Sequence, residues 1–508
     1  MNSLIKYITV LFIAVSLFSC TDDFEEINTN PNDPDRVSDP SLLLPEIIWD
    51  FSDANFENSF DRGAIVADQV SNFFVGSFND WTRADVNRFS WGYYSKIYDL
   101  DYMINISEEQ GLNNYRAIGM ILRAWAFQSI TDNFGPIPYF EAARAQDNIN
   151  FPKFDAQQDI YADLLEKLEE ANLLLDESKE VVNGDILFSG SIKNWKMFAN
   201  GMRLRILMRQ SDKIDPSAEM QKIVNDPSTY PLFESHEDQA ALQYLDSKSN
   251  AHPAFRGNVS DWSSSSSTRL SYNMEVILKS MNDPRISVFA LPTAATIDTD
   301  NPEYFGVPNG LLDVNDWNGG VQNHSLMGLL FAPEQYDPSL VSMNAAQSIL
   351  IPYSEVQFIL AEARVRGFIT TGDAETYYMN GIKDQFNYYA SRIPDTWLLP
   401  NAADLIPSSD YYTQETVAFT GSSEEKLNKI YTQKWLALFT VGFEAWSEWR
   451  RVHVPVITPG PATSGFIPVR YIYPADEMRL NDDNYNEAVK LLGGNGDEIT
   501  SPVWWDVD

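Results

Sequence analysis

Three stretches of the chain set aromatic rings beside short hydrogen-bonding side chains, in segments with no helical period. The first runs Phe73, Phe74, Val75, Gly76, Ser77, Phe78, Asn79, Asp80, Trp81, Thr82, Arg83; the second is Trp262 beside Asp261 and the run Ser263 to Ser267. The third is Asp316, Trp317 and Asn318, with Tyr304 nearby in sequence. The combination suits recognition: an aromatic face stacks on an apolar ring face, such as that of a pyranose, while Asn, Asp and Arg bond the hydroxyls. Asn79, Trp81, Trp262, Tyr304, Trp317 and Asn318 are therefore the candidate ligand contacts. The other reading of each loop aromatic is a ring docked on neighbouring helices. Trp91, Trp125, Trp195, Trp435 and Trp446 recur at helical spacing among apolar neighbours and read as core.

Catalytic and metal-binding patterns are missing from the sequence. His236, Glu237, Asp238, Gln239, Ala240 begins like a zinc-protease helix but lacks the second His four positions on. There is no G-x-S-x-G elbow and no phosphate-cradling loop. Asp313, Asn315 and Asp316 supply oxygen ligands, yet Trp317 falls where a calcium loop would want an acid or amide. Two carboxylates suffice for a glycosidase, and nothing among the 72 Asp and Glu singles out a pair. The expectation is a binding protein with no catalytic residue, no metal and no cofactor.

Cys20, the only cysteine, ends a segment that decides where the rest can work. Residues 1–19 carry one charged side chain, Lys6, and the apolar run Tyr7 to Val15, which is too short for a permanent span of roughly 20 residues. Leu17, Phe18, Ser19 and Cys20 resemble the bacterial lipobox, which implies cleavage before Cys20 and lipidation of its thiol. Thr21, Asp22, Asp23, Phe24, Glu25 and Glu26 resemble the acidic signal that sends Bacteroidetes lipoproteins to the cell surface; the plainer reading is a solvated acidic linker. The turn-rich stretch to Pro40 completes a tether over 20–40. Losing Lys6 takes the net charge from −36 to −37, which repels phosphate backbones and excludes nucleic acid as a partner.

The body, 41–508, reads as one mainly helical domain, since hydrophobic residues make up 44% of the chain and no linker interrupts it. Trp91, Tyr94, Ile97, Tyr98, Tyr102 and Ile106 share one helix face. A second helix carries Ile118, Leu122, Trp125 and Ser129 and stops before Gly135. A third starts at Asp155 as N-cap, with Gln158 three residues on, and a fourth spans Ile192 to Arg209. Later helices are expected over Ser354–Arg366, Ala374–Tyr389, Glu424–Thr440 and Phe443–Arg451, with a break near Gly442. These pair as hairpins over about 90–211 and 352–451. Between them, Asp212 to Asn344 is dense in proline and turn residues and reads as irregular, with 452–508 as a C-terminal segment. Arg203, Arg205 and Arg209 in one helix, and Arg450 and Arg451 ending another, are expected to pair internally with carboxylates, since acids outnumber bases 72 to 36.

Several long segments carry a resemblance: RAWAFQSITDNFGPIPYFEA from Arg123, SIKNWKMFANGMRLRILMR from Ser191, NDPR from Asn282 and IPYSEVQFILAEARVRG from Ile351. YTQKWLALFTVGFEAWSEWRR from Tyr431, IPVRYIYPADEMRLNDDNYNEA from Ile467 and VWWD from Val503 complete it. The chain resembles the SusD/RagB-type nutrient-binding outer-membrane lipoproteins, of the SusD-like 2 kind. Val441-Gly442 departs from the Asn-Gly usual there and bears only on the local turn. The resemblance implies a SusD-like fold of four tetratricopeptide-like helical hairpins with a large loop-rich ligand-binding half. It also implies an outer-membrane, surface-facing location and a SusC-like TonB-dependent transporter as partner. The ligand it implies is a glycan or, in some relatives, a peptide, with the binding site combining the segment before the first hairpin and the irregular centre. A surface-anchored glycoside hydrolase is the enzyme alternative.

Overall fold

The structure is a computed structural model that describes residues 37–72, 90–247, 249–253, 268–331, 344–397, 399–463, 465–492 and 496–507. Asp39 opens the first helix, α1 (Pro40–Asn58), by accepting from the Ser41 amide at 2.9 Å, and Pro40 sits in the first turn. Leu44, Ile47, Ile48 and Phe51, at the spacing of one helix face, are fully or almost fully buried. A tighter approach follows. A Cβ on Gly63 would lie 2.2 Å from the Gly442 carbonyl oxygen, and Gly442 itself has φ +53. The departure at Val441-Gly442 thus keeps the one residue the turn requires.

Four helices follow: α2 (Tyr94–Gln110), α3 (Asn113–Phe134), α4 (Gln157–Leu174) and α5 (Ile192–Arg209). Gly111, in the left-handed region at φ +69, ends α2 and lets α3 fold back on it. α3 packs against α2, α4 and α5 and is buried nearly all round. The sequence placed the start of α4 at Asp155, and the structure corrects this: Ala156 is the cap residue, without a side-chain cap bond. Asp155 belongs to a short strand, and its Oδ2 accepts from the amides of Tyr139 at 3.1 Å and Phe140 at 2.9 Å. The carboxylate thus accepts from the hairpin amides, and Ala156 opens the helix without a side-chain cap.

The central region is less irregular than its prolines suggest. It holds α6 (Ser217–Asn225) and α7 (Tyr272–Ser280), the latter capped by Ser271 Oγ accepting from the Met274 amide. Further helices are α8 (Tyr353–Arg366), α9 (Ala374–Arg392), α10 (Ser423–Ala437), α11 (Glu444–Val452), α12 (Ala475–Leu480) and α13 (Asp482–Leu491). α8 packs on α9 and α10, and also on α5, joining the two helical groups. Among the described residues the strands form three antiparallel two-stranded ladders: β1 (Val70–Asn72) with β5 (Thr268–Leu270), β2 (Ile137–Pro138) with β3 (Phe154–Asp155), and β4 (Ala240–Gln243) with β6 (Gln347–Ile351).

Ion pairs with buried arginines run through the helices, and those of Arg205 and Arg209 cross between the two helical groups. Arg205 reaches Glu355 with both Nε at 2.8 Å and a terminal nitrogen at 2.6 Å. Arg209 pairs with Asp132 and Glu444, Arg203 with Glu169 and Glu219, and Arg451 with Glu362 and Glu448. Arg450 is the exception to the expected pairing. It donates to the Asp132 and Val469 carbonyls and to Ser447 Oγ, and it lies over the Trp446 ring at 3.7 Å. Burial pushes the pKa of Arg450 down to about 9, and the charges of Asp132 and Asp506 offset it only in part.

Candidate functional site

The β1–β5 ladder pairs the residues that border the first two candidate stretches. Its register is Val70↔Leu270, Ser71↔Arg269 and Asn72↔Thr268. Asn72 is the residue before the stretch 73–89, with Asn79 and Trp81; Thr268 is the residue after 254–267, with Trp262. Asn79, Trp81 and Trp262 themselves lie outside the described residues, but the chain enters one stretch and leaves the other at a single pair of strand partners. On its other side β5 meets the third stretch. Arg269 bridges to Leu326 and Ser271 to Val307, while the Val307 amide donates to Leu270 at 2.8 Å and the Leu270 amide to Ser325 at 3.1 Å. A three-way junction results, in which 304–326 lies against the strand β5, itself paired with β1.

Within that third stretch Trp317 is half-buried, and its Nε1–H donates to the Gly306 carbonyl at 3.0 Å. The Trp317 carbonyl accepts from His324 Nε2 at 2.8 Å; burial holds the His324 pKa below its ordinary value. The indole meets the Tyr272 ring edge-on at 5.8 Å, and Tyr272 is 44% exposed. Tyr272 is not among the candidates chosen from the sequence, because its position at the start of α7 gives no sign of which face is open. Phe305 was passed over likewise and lies under the Lys279 ammonium at 4.5 Å. Tyr304 is half-buried against the core. Asn318 is exposed with φ +49, and its carboxamide donates to the Asn323 carbonyl at 3.2 Å while Asn323 returns a bond at 2.8 Å. Its side chain closes the loop that presents Trp317.

A family model, SusD-like 2, described as starch-binding and associating with the outer membrane, matches residues 31–474. The chain belongs to this SusD-like family. Solved structures agree with the assignment. A SusD homologue from Bacteroides fragilis NCTC 9343 is 27% identical with a TM-score of 0.77, covering 92% of this chain and 99% of that one. An outer membrane protein from Bacteroides vulgatus ATCC 8482, described in connection with nutrient binding, is 30% identical with a TM-score of 0.78, covering 92% and 100%. A chitin-binding protein is 26% identical with a TM-score of 0.74, covering 92% and 100%. No curated protein matches the sequence.

Other readings of the sequence find their places in this SusD-like chain. Trp125, Trp195, Trp435 and Trp446 are buried, and Trp435 Nε1 donates to the Ala67 carbonyl at the root of β1; Trp91 is half-buried against the same core. The segment from His236 forms turns rather than a helix, and the His236 ring bonds Asp384 at 2.8 Å, which raises its pKa. Asp313 Oδ1 accepts from the Asn315 amide at 2.8 Å and from its carboxamide at 2.9 Å. Among the described residues no group of three or more His, Cys, Asp or Glu is placed to hold a metal ion.

Asp68 ties the junction together. Its carboxylate accepts from Asn309 and Asn273, each at 2.6 Å, and its carbonyl accepts from Ser271 Oγ. Burial pushes its pKa up to about 7 from the usual 3.8, against the two hydrogen bonds, which favour the charged form. A pKa raised by folding gives stability that is full below about pH 4 and is lost as pH rises through 7. The Asp68→Asn variant is expected to remove this dependence. Wild type should lose up to roughly 4 kcal/mol relative to it between pH 4 and 8, read as the pH slope of the urea midpoint; parallel slopes would show that Asp68 stays ionised.

Proposed function

We propose that this protein is a surface lipoprotein that captures a glycan at the three-way junction and delivers it to a SusC-like TonB-dependent transporter. The observation that carries this reading is the family match over residues 31–474; the exposed Tyr272 beside Trp317 supports the junction as its location. Residues 1–19 serve as the export signal, Cys20 bears the lipid, 20–40 form the tether and 41–508 fold as one domain facing outward. Trp317 and Tyr272 form the described part of the stacking surface, with Asn79, Trp81 and Trp262 contributed by the two stretches rooted on β1 and β5.

Capture without cleavage is supported by three acids near the aromatic pair. Glu275 accepts from the Gly306 amide at 2.7 Å and from Lys279 at 2.7 Å, and Asp313 and Asp68 are held by asparagines. Each is engaged by donors of its own chain, where a glycosidase needs a carboxyl pair facing the scissile bond. A glycan is favoured over a peptide because one of the similar structures is a chitin-binding protein. Affinity capture of the tagged full chain from membranes extracted in mild detergent tests the partnership. The expected result is stoichiometric recovery of a large outer-membrane barrel; recovery of the chain without one would contradict delivery to a transporter.

A further inference from the structure

A cleft of 530 Å³ opens between α2, α3 and α4, beside the loop 139–147. It uses none of the residues at the junction. Its size is that of a small-molecule site, and its floor is apolar, formed by Ile104, Met120 and Ala124. α2 and α3 approach closely there because α3 carries Gly119, whose Cβ would stand 2.5 Å from Ile104 Cγ1.

The charges around the floor cancel. Arg123 bonds Asp101 at 2.8 Å and is clamped over the rings of Phe127 at 4.5 Å and Tyr139 at 4.8 Å. Arg116 pairs with Glu108 at 3.3 Å and Glu170 at 2.9 Å. Arg144 pairs with Asp147 and Lys167 with Glu170, both at 2.9 Å. Asp163 accepts from the Tyr139 hydroxyl at 2.6 Å. Each of the four lining cations, Arg116, Arg123, Arg144 and Lys167, is paired with an acid, and the four lining acids, Asp101, Glu108, Asp147 and Asp163, equal them in number; on a chain of net charge −36 the cleft therefore offers no unpaired cation for an anion and no net charge for a cation. It presents fixed planar groups with donor and acceptor edges around an apolar floor. Beside them Tyr98 stands 43% exposed, its hydroxyl accepting from Gln146 at 2.6 Å.

We propose that this cleft is a second ligand site, specific for a neutral saccharide of two or three rings. One pyranose face lies on Tyr98, and the hydroxyl edges meet the Arg123–Asp101 and Arg144–Asp147 pairs, which give donors and acceptors without net charge. The ligand class rests on the glycan reading above; the location does not.

Hydrogen exchange of the full chain with millimolar maltotriose, and separately with tri-N-acetylchitotriose, tests the proposal and keeps the two sites apart. The expected result is protection over 139–147 by one of the two probes. Tyr98→Ala, and Asn105→Trp at the exposed rim, should each raise the half-protecting concentration about tenfold or more and leave protection over 268–326 as in wild type. Protection confined to 268–326 would overturn the second site and leave the proposed function standing. Protection at neither place would overturn both, and protection at 139–147 indifferent to both variants would overturn the assigned lining.

Discussion

Replacing Glu362 by Gln is expected to lower the free energy of unfolding by about 3–5 kcal/mol, the usual result of breaking a buried ion pair from one side. Glu362 is fully buried and accepts from both terminal nitrogens of Arg451 at 2.7 Å, from Arg366 at 3.2 Å and from the Tyr431 hydroxyl at 3.3 Å. Burial opposes the charge on Arg451, and Glu362 and Glu448 more than offset it, holding its pKa well above the ordinary value. Without the Glu362 charge, Glu448 alone faces both Arg451 at 2.6 Å and Lys434 at 2.9 Å. One carboxylate would then balance two buried cations. Urea denaturation at fixed pH measures the loss, with Glu487→Gln as control, since its partner Lys490 is exposed and the pair should contribute nothing measurable. A Glu362→Gln midpoint equal to wild type would show that the network is already hydrated.

The second large effect concerns the anchor. Cys20→Ala should empty the outer-membrane fraction of this protein. Each buried CH₂ of an acyl chain contributes about 0.8 kcal/mol, so several chains make release negligible and their loss makes retention negligible. Among the described residues no helix is long and apolar enough to cross a membrane and stand in for the lipid. Fractionation after a high-salt wash gives the answer. Undiminished Cys20→Ala protein in the outer membrane would contradict a lipid anchor at Cys20, and loss of wild type in the same wash would point to attachment through protein contacts alone.

The helices were legible because their signals are local. Ile192–Arg209 was bounded correctly, and the structure adds its cap, Ser191, whose hydroxyl accepts from the Asn194 amide. Ala374–Arg392 began where Asp373 marks it and ran three residues past its expected end, since nothing in Ala390, Ser391 and Arg392 stops a helix. What stayed hidden depends on contacts far apart in the chain. Asn72 and Thr268 are strand partners, yet three-residue strands leave no periodicity that could announce it. Arg450 was misread for a similar reason: its acceptors are carbonyls of residues 132 and 469, and a carbonyl carries no side-chain signature. Tyr272 and Phe305 join the candidate surface through β5 and α7, so only the fold shows that they belong with Trp317. The candidate stretches were chosen from residue type in aperiodic sequence; that Asn72 and Thr268, which border two of them, are strand partners is information the fold adds.

The central claim is glycan capture, and the measurement that tests it most directly is isothermal titration of the chain beginning after Cys20 against a panel of polysaccharides and peptide mixtures. Trp81→Ala, Trp262→Ala, Trp317→Ala and Tyr272→Ala are titrated alongside, and each mixture is checked for cleavage products. The account predicts binding to one glycan, weakened about tenfold or more in Trp317→Ala and in at least one of the other three, with no product formed. Binding of peptides alone, glycan binding indifferent to all four substitutions, or release of shortened sugars would contradict it.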